Sequence, residues 1–304
     1  MRICSLLPSA TEILYALGLG DQVVGVTHEC DYPAEAALKP PLIRPRVDPQ
    51  AAPAELDAQV REIVSRGESL YAVDDEKLRE LDPDLIVTQD LCHVCAASPD
   101  DLATALTRLE KMPRVLSLSP HTLADVWDDI RKVGEATGRS HEASHLLSSL
   151  KARVSAIEKA VCVPGIATRP RVVCLEWLDP VYAGGHWVPQ MVERAGGKDA
   201  LGVAGEASFR VTWKRVVDAW PDVVVVMPCG YGVERTVAEW RRTQQPAGWD
   251  DLPAVKNGRV FAADANSYFS RSGPRLVDGI ALLAGLFHPR TSVPDVPKNA
   301  VAPL

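Results

Sequence analysis

Two cysteines in the first half of the chain have the spacing of a metal-binding or redox motif. Cys92 and Cys95 are separated by two residues and follow a short apolar segment that ends at Gln89. A turn after a strand would let both thiolates face one point, as zinc ligands must. A closed zinc site needs two further ligands, and the candidates are His28, Cys30, Glu176 and His186. A redox pair and two ordinary buried thiols are the alternative interpretations.

No recognised enzyme signature accompanies this pair. Residues 3–7 form a strand-like apolar run, but the following Pro8 and Ser9 do not begin a G-x-G-x-x-G sequence. The chain also contains neither a P-loop nor a G-x-S-x-G element. We therefore predict a protein that is not an enzyme and has no catalytic residues. The alternative is a cytosolic metal-dependent or thiol enzyme that uses Cys92 and Cys95.

Composition excludes several other classes of protein. The 304 residues carry a formal charge of −7, with 46% hydrophobic and 24% charged residues, which is ordinary globular composition. The acidic balance without a basic run argues against nucleic acid, and no apolar run is long enough to span a membrane. Seven cysteines, an odd number, favour reduced thiols. The first residues lack signal-peptide features, which predicts a cytoplasmic protein, or a periplasmic or cell-surface one if a leader was removed.

Strands that alternate with helices predict an α/β fold with two Rossmann-like lobes and parallel sheets. The N-terminal lobe covers residues 1–120, and the C-terminal lobe, residues 166–290, repeats its order. The repeat is clearest where LDPDLIV at residues 81–87 matches AWPDVVV at residues 219–225. Residues 121–165 are predicted to join the lobes as a single long helix, interrupted only near Gly138. Residues 291–304 are expected to form a loose tail.

Ligands of open α/β sheets bind beyond the carboxyl ends of the strands. The loops at these ends are rich in aromatic residues and poor in charge, which suits a large, flat, partly apolar ligand. Ser9 and Glu12 also have capping-box spacing, which predicts a helix whose N-terminus would orient polar groups of the ligand. Several of the aromatic residues are equally compatible with the core.

Several segments resemble one known family along almost the whole chain. They are RICSLLPSATEILYALG at residues 2–18, VGVT at 24–27, DYP at 31–33, LDPDLI at 81–86, VKNGRV at 255–260 and SYFSRSGPR at 267–275. This set is similar to the cobalamin- and siderophore-binding proteins of ABC importers, which have the class III periplasmic-binding-protein fold. The resemblance is strongest to the cobalamin-binding branch. It implies two lobes bridged by a rigid helix, with a corrinoid or similar metal chelate held in the interlobe cleft.

The resemblance also implies roles for particular residues. Tyr32, Tyr268 and Phe269 stand where the family places cobalamin-contacting aromatics, and Gln89 replaces a tryptophan that cobalamin binders have. A thiolate or an imidazole could approach the metal of the chelate. With the strand-end loops, the predicted ligand-binding set is Pro8, Ser9, His28, Tyr32, Gln89, Cys92, Glu176, Trp177, Trp187, Tyr268, Phe269 and Arg271. The chelate would be the ligand; no cofactor is required, and Cys92, Cys95 and His28 are candidate zinc ligands.

Members of this family dock to an ABC permease through one surface carboxylate on each lobe. Glu76 fits the first of these positions. Lys214 occupies the second, where its charge would repel the arginines of a permease. The expected partner is a small-molecule metal chelate; Glu76 is the candidate docking residue for an ABC permease, and Lys214 argues against that second partner.

Overall fold

The computed structural model describes residues 1–89, 99–162 and 169–304. The chain forms two compact units. Unit 1 comprises Met1–Pro120 and Ala124–Ser148, and unit 2 comprises His121–Leu123 and Ser149–Leu304. Each unit contains one sheet whose central strands are parallel, with helices between them. The predicted α/β class with two Rossmann-like lobes is therefore confirmed.

The sheet of unit 1 has six strands in the order β4-β3-β2-β1-β5-β6. All neighbouring strands are parallel except β3 and β4. The central strands are nearly continuous apolar runs because both of their faces are covered. The strand bounds are β1 Ile3–Ser5, β2 Val23–Thr27, β3 Pro41–Pro45, β4 Tyr71–Val73, β5 Leu85–Gln89 and β6 Arg114–Leu118.

The first helix of unit 1 begins one residue earlier than a Ser9 cap would require. Leu7 is the N-cap and Pro8 is the first helical residue, since the proline ring presets the helical φ and lacks the N–H that a cap would have to satisfy. The predicted capping box of Ser9 and Glu12 is therefore wrong. The helices of this part of the chain are α1 Pro8–Ala16, α2 Pro53–Ser65, α3 Asp75–Leu81, α4 Pro99–Leu106, α5 Leu123–Thr137 and α6 Ser140–Val161.

The long helical stretch is two helices rather than one. Helices α5 and α6 are separated at Gly138, which has a φ of +70°. An L-residue rarely adopts this conformation, so the glycine ends α5. The expectation of a single helix is therefore corrected, although the break lies where the sequence pattern weakens. Contacts assign the first part of α6 to unit 1 and the rest to unit 2, with the division after Ser148.

The sheet of unit 2 follows the order β10-β8-β7-β11-β12-β13, with β9 paired to β7. Strands β7, β11 and β12 are parallel, whereas β8 and β13 run antiparallel to their neighbours. The four valines of β11 are fully buried, as expected of a central strand. The strand bounds are β7 Arg171–Leu178, β8 Val181–Ala183, β9 Lys198–Asp199, β10 Phe209–Arg210, β11 Val223–Val226, β12 Val260–Ala263 and β13 Val301–Pro303.

Three tryptophans pack against one another in the core of unit 2. Trp240 and Trp249 are buried, and Trp213 meets each of them edge to face, with ring centroids 6.3 and 5.8 Å away. Among the described residues, no helix is long and apolar enough to cross a membrane. The remaining helices are α7 Val188–Arg194, α8 Trp213–Asp218, α9 Val233–Trp240, α10 Pro253–Lys256, α11 Ala265–Tyr268 and α12 Leu276–Phe287.

The end of the chain is not a loose tail. Strand β13 pairs with β12, and Ala300 before it is buried. Backbone hydrogen bonds join Asp264 N to Ala300 O and Leu304 N to Val260 O, each 2.9 Å long. The prolines of residues 291–304 suggested an unstructured segment, but the open edge of β12 supplies partners for its backbone. The prediction is therefore wrong for this strand.

Candidate functional site

Unit 1 brings several predicted ligand-binding residues to one edge of its sheet. Pro8 and Ser9 follow β1, His28 follows β2, and Gln89 ends β5. Because these three parallel strands are neighbours, their carboxyl ends meet at the same edge. Ser9 itself is buried. The sequence-based placement of these loops therefore holds, while the Ser9 side chain lies inside the unit.

A buried polar cluster fixes the loop after β2. The Thr11 hydroxyl lies 3.1 Å from the Cys30 sulfur and donates to Ser5 Oγ at 2.8 Å, and Cys30 also lies 3.3 Å from Thr27 Oγ1. All four side chains are buried, where such polar contacts are stronger than in water. The cluster joins α1 to the ends of β1 and β2. It therefore sets the position of the segment that carries His28 and Tyr32.

His28 and Tyr32 differ in what they present at this edge. The Nδ1 atom of His28 lies 3.0 Å from the carbonyl oxygen of Ile43, and its Nε2 lies 3.8 Å from Glu29 Oε1. One ring nitrogen is thus held by the backbone, which leaves Nε2 as the atom able to bind a ligand. Tyr32 exposes 47% of its surface, which is unusual for a large ring. Its side chain is the main aromatic surface of this loop.

The structure does not support the predicted zinc site. Cys92 and Cys95 lie outside the described residues. In the parts of the chain that are described, no group of three or more His, Cys, Asp or Glu side chains could hold a metal ion. Cys30 is instead engaged with Thr11 and Thr27, as above.

Two of the described thiols, those of Cys4 and Cys174, lack the character of a nucleophile. Burial raises the pKa of Cys4 to about 12 and raises that of Cys174 strongly. Such thiols stay protonated and inert at neutral pH. Cys162 and Cys229 are exposed. The alternative of a thiol enzyme gains no support from the described part of the chain.

Unit 2 holds a buried carboxyl group at the end of β7. The Glu176 carboxylate accepts a hydrogen bond from the Ser208 hydroxyl and one from the Gly185 backbone N–H. Desolvation outweighs both bonds and raises the pKa of Glu176 to about 7, with a further contribution from Asp199. Asp199 also has a raised pKa because it is buried, although its Oδ1 accepts the N–H groups of Leu201 and Gly202. The surroundings of Glu176 therefore disfavour additional negative charge.

Trp177 follows Glu176 and belongs to an aromatic cluster at the strand ends. Its indole packs edge to face on Tyr231, with ring centroids 5.4 Å apart. The Arg235 guanidinium lies 3.8 Å from the centroid of the same tyrosine ring. Trp177 lies within β7 rather than in the loop after it. The sequence pattern did not indicate Arg235, because it lies on a helix.

The loop after β12 is built on buried aromatic residues. Trp187 donates through Nε1 to the carbonyl oxygen of Phe269, 2.8 Å away, and both side chains are almost completely buried. Arg271 is also buried and donates to Asn266 Oδ1 at 3.0 Å. Tyr268 is partly exposed. Of the residues predicted in this loop, Tyr268 presents accessible surface, whereas Trp187 and Phe269 form its support.

The two positions predicted for docking lie on helices of different units. Glu76 is exposed on α3. Lys214 is exposed on α8 and forms an i,i+4 ion pair with Asp218 at 2.6 Å. Such a surface pair contributes little to stability, so it would not prevent Lys214 from meeting a partner.

Two α/β units whose strand-end loops carry aromatic residues define a solute-binding protein, and comparison with known proteins agrees. The family model described as periplasmic binding protein matches residues 3–267. The chain is 30% identical over 296 residues to an uncharacterized ABC transporter substrate-binding lipoprotein, YvrC, of Bacillus subtilis, covering 95% of this chain and 81% of that protein. The chain therefore belongs to the periplasmic binding protein family, and it is a substrate-binding protein rather than an enzyme.

Other similar proteins share less sequence identity with this chain. The vitamin B12-binding protein of Vibrio parahaemolyticus is 23% identical, over 92% of this chain and 86% of that protein. The vitamin B12-binding protein BtuF of Vibrio cholerae has a TM-score of 0.66 at 22% identity, over 94% of this chain and 96% of that chain. The heme-binding protein RhuT of Roseiflexus sp. RS-1 has a TM-score of 0.69 at 23% identity, over 95% and 98%. These structures establish the fold.

Proposed function

We propose that this protein binds a corrinoid at the strand-end loops of its two units and delivers it to an ABC permease. The observation that carries the proposal is the Tyr32 ring, 47% exposed at the carboxyl end of β2. A large exposed ring in the loop that also carries His28 suits the face of a flat metal chelate. The partly exposed Trp177 and Tyr268 supply further aromatic surface in unit 2. That the ligand is held in an interlobe cleft stays a prediction from the sequence.

The charge of unit 2 favours a corrinoid over heme. Heme carries two anionic propionates, whereas the side arms of cobalamin are mostly neutral amides. Desolvation raises the pKa of Glu176, near the end of β7, and that of Asp199, which is paired with the start of β7, so the surroundings of both carboxyl groups disfavour negative charge. Neutral amides can exchange hydrogen bonds with such carboxyl groups in either protonation state. The names of several sequence relatives support the same preference.

The same comparisons bear on location. The Bacillus relative is a lipoprotein, and the family model is that of periplasmic proteins. They give no support to the expected cytoplasmic location. We propose that the protein works outside the cytoplasmic membrane, where a substrate-binding protein meets both its ligand and its permease.

A visible-absorbance titration tests the ligand. Purified protein is titrated with cyanocobalamin, cobinamide and hemin, and Tyr32→Ala is compared with Leu38→Ala. Leu38 is 84% exposed in the same β2–β3 connection and serves as the matched control. We expect saturable binding of a corrinoid that Tyr32→Ala weakens about tenfold, the loss of one aromatic contact of about 1.4 kcal/mol. Tighter binding of hemin would overturn the corrinoid assignment, and binding of none of the three would overturn the proposal.

A further inference from the structure

Tyr231 connects the ends of three neighbouring strands in unit 2. It follows β11, and its ring contacts Trp177 at the end of β7, with an interplanar angle of 62°. Its carbonyl oxygen accepts the N–H groups of Ala265 and Asn266, at 3.0 and 3.1 Å, directly after β12. One buried residue therefore joins the end of β7 to the loops that follow β11 and β12.

The positively charged side chain of Arg235 contacts the Tyr231 ring from a neighbouring helix. It lies in the first turn of α9, with its guanidinium 3.8 Å from the Tyr231 ring centroid. A cation over an aromatic face is attracted by the ring quadrupole, more strongly where water is excluded. Because Tyr231 is only 2% exposed, this cation–π contact is well shielded from water. The Tyr231 ring is thus fixed by a residue of another element.

Trp177 is the part of this cluster that remains partly exposed. Its Nε1 donates to the carbonyl oxygen of Asp179 at 3.1 Å, and its ring rests against Tyr231. These two contacts leave the indole little rotational freedom. A ligand that packs on a side chain already held in place avoids the entropy loss of ordering it.

We propose that Arg235 and Tyr231 are positioning residues, which hold Trp177 in the orientation that packs on the ligand. The inference rests on the proposed function, because it assigns a role in binding the same ligand. Arg235 acts through Tyr231 and Trp177. Its removal should therefore loosen the indole before any ligand is added.

The experiment has one arm with ligand and one without. Arg235→Met removes the charge and keeps much of the volume, Arg235→Lys keeps the charge, and Arg241→Met is the matched control, exposed at the C-cap of the same helix. Cyanocobalamin affinity is measured by absorbance. Acrylamide quenching of tryptophan fluorescence is measured on the ligand-free protein. Each variant is measured both with and without the Trp177→Phe substitution, and the difference gives the quenching of Trp177 itself.

Arg235→Met should weaken cyanocobalamin binding about threefold to tenfold, the range of a shielded cation–π contact, and should raise the quenching of Trp177. Arg235→Lys should recover part of both effects, and Arg241→Met should change neither. A second pair tests the ring: Tyr231→Leu should behave like Arg235→Met, and Tyr231→Phe should stay close to the wild type.

The outcomes separate this inference from the proposed function. Wild-type protein that binds no corrinoid refutes the proposed function, and the ligand-free quenching then decides whether Arg235 positions Trp177. Unchanged quenching in Arg235→Met overturns the positioning role, whether or not the affinity falls. Weakened binding together with unchanged quenching would mean that Arg235 contacts the ligand itself.

Discussion

Replacing Glu176 by glutamine should change how the stability of unit 2 depends on pH. The wild-type carboxyl group has a pKa of about 7 in the folded chain, against an ordinary value of 4.5. Between these two values the folded state binds more protons than the unfolded state. Stability must therefore fall as pH rises through this range, and the loss is complete above pH 7.

The size of the effect follows from the shift in pKa. A difference of one unit corresponds to 1.36 kcal/mol, so the raised pKa of Glu176 corresponds to up to about 3 kcal/mol between pH 4.5 and pH 8. Glutamine is nearly isosteric, is neutral at every pH, and can still accept the Ser208 hydroxyl hydrogen. Glu176→Gln should match the wild type near pH 4.5 and exceed it at pH 8 by up to about 3 kcal/mol.

Urea unfolding followed by tryptophan fluorescence measures this difference. Six of the seven tryptophans lie in unit 2, and only Trp127 lies in unit 1, so the signal reports mainly on the unit that contains Glu176. Glu234→Gln, at an exposed position of α9, is the control for removing one negative charge. A stability difference between Glu176→Gln and the wild type that is equal at pH 5 and pH 8 would refute the linkage.

Three further predictions concern other parts of the chain. Thr11→Val removes the hydroxyl that joins Ser5 and Cys30, and should lower the free energy of unfolding of unit 1 by about 1 to 3 kcal/mol, measured by urea unfolding followed by circular dichroism. Gly138→Ala should lower it by about 1 to 2 kcal/mol in the same assay, because alanine resists a φ of +70°; no loss would contradict this conformation. Glu76→Lys should leave corrinoid affinity unchanged and reduce corrinoid uptake by cells of the native host, and unchanged uptake would exclude docking through α3.

The buried strands were the most predictable part of the fold. Leu85–Gln89 and Val223–Val226 each follow a Pro-Asp turn and are covered on both faces. A central parallel strand must be apolar along its length, so its position can be seen directly in the sequence. These elements are determined by local pattern and burial together.

Helix ends and chain ends were less predictable because they depend on alternatives of similar energy. The Ser9 hydroxyl had the spacing of a cap, but Pro8 already satisfies the first turn without one. The conformation of Gly138 divides a helical pattern that continues on both sides. Strand β13 forms because β12 offers unpaired backbone groups, a partner about 40 residues earlier that no local pattern reveals.

The candidate site was likewise predictable from the sequence only in part. The strand-end position of the loop that carries Tyr32 followed from the alternation of strands and helices, whereas Trp177 lies in β7 itself. Arg235 could not be found from spacing, since its importance comes from a ring contact that exists only after α9 has packed. The raised pKa of Glu176 likewise depends on burial beside Gly185 and Ser208, which the chain supplies from a distant loop.

Strand β13 also protects the protein from self-association. It occupies the edge of β12, where exposed N–H and C=O groups would otherwise form a template for a strand of another molecule. Pro303 has no N–H of its own, so the new outer edge is a poorer template than the one it covers. A chain shortened before Ala300 would expose the edge of β12 and should form sheet-extended aggregates at high concentration.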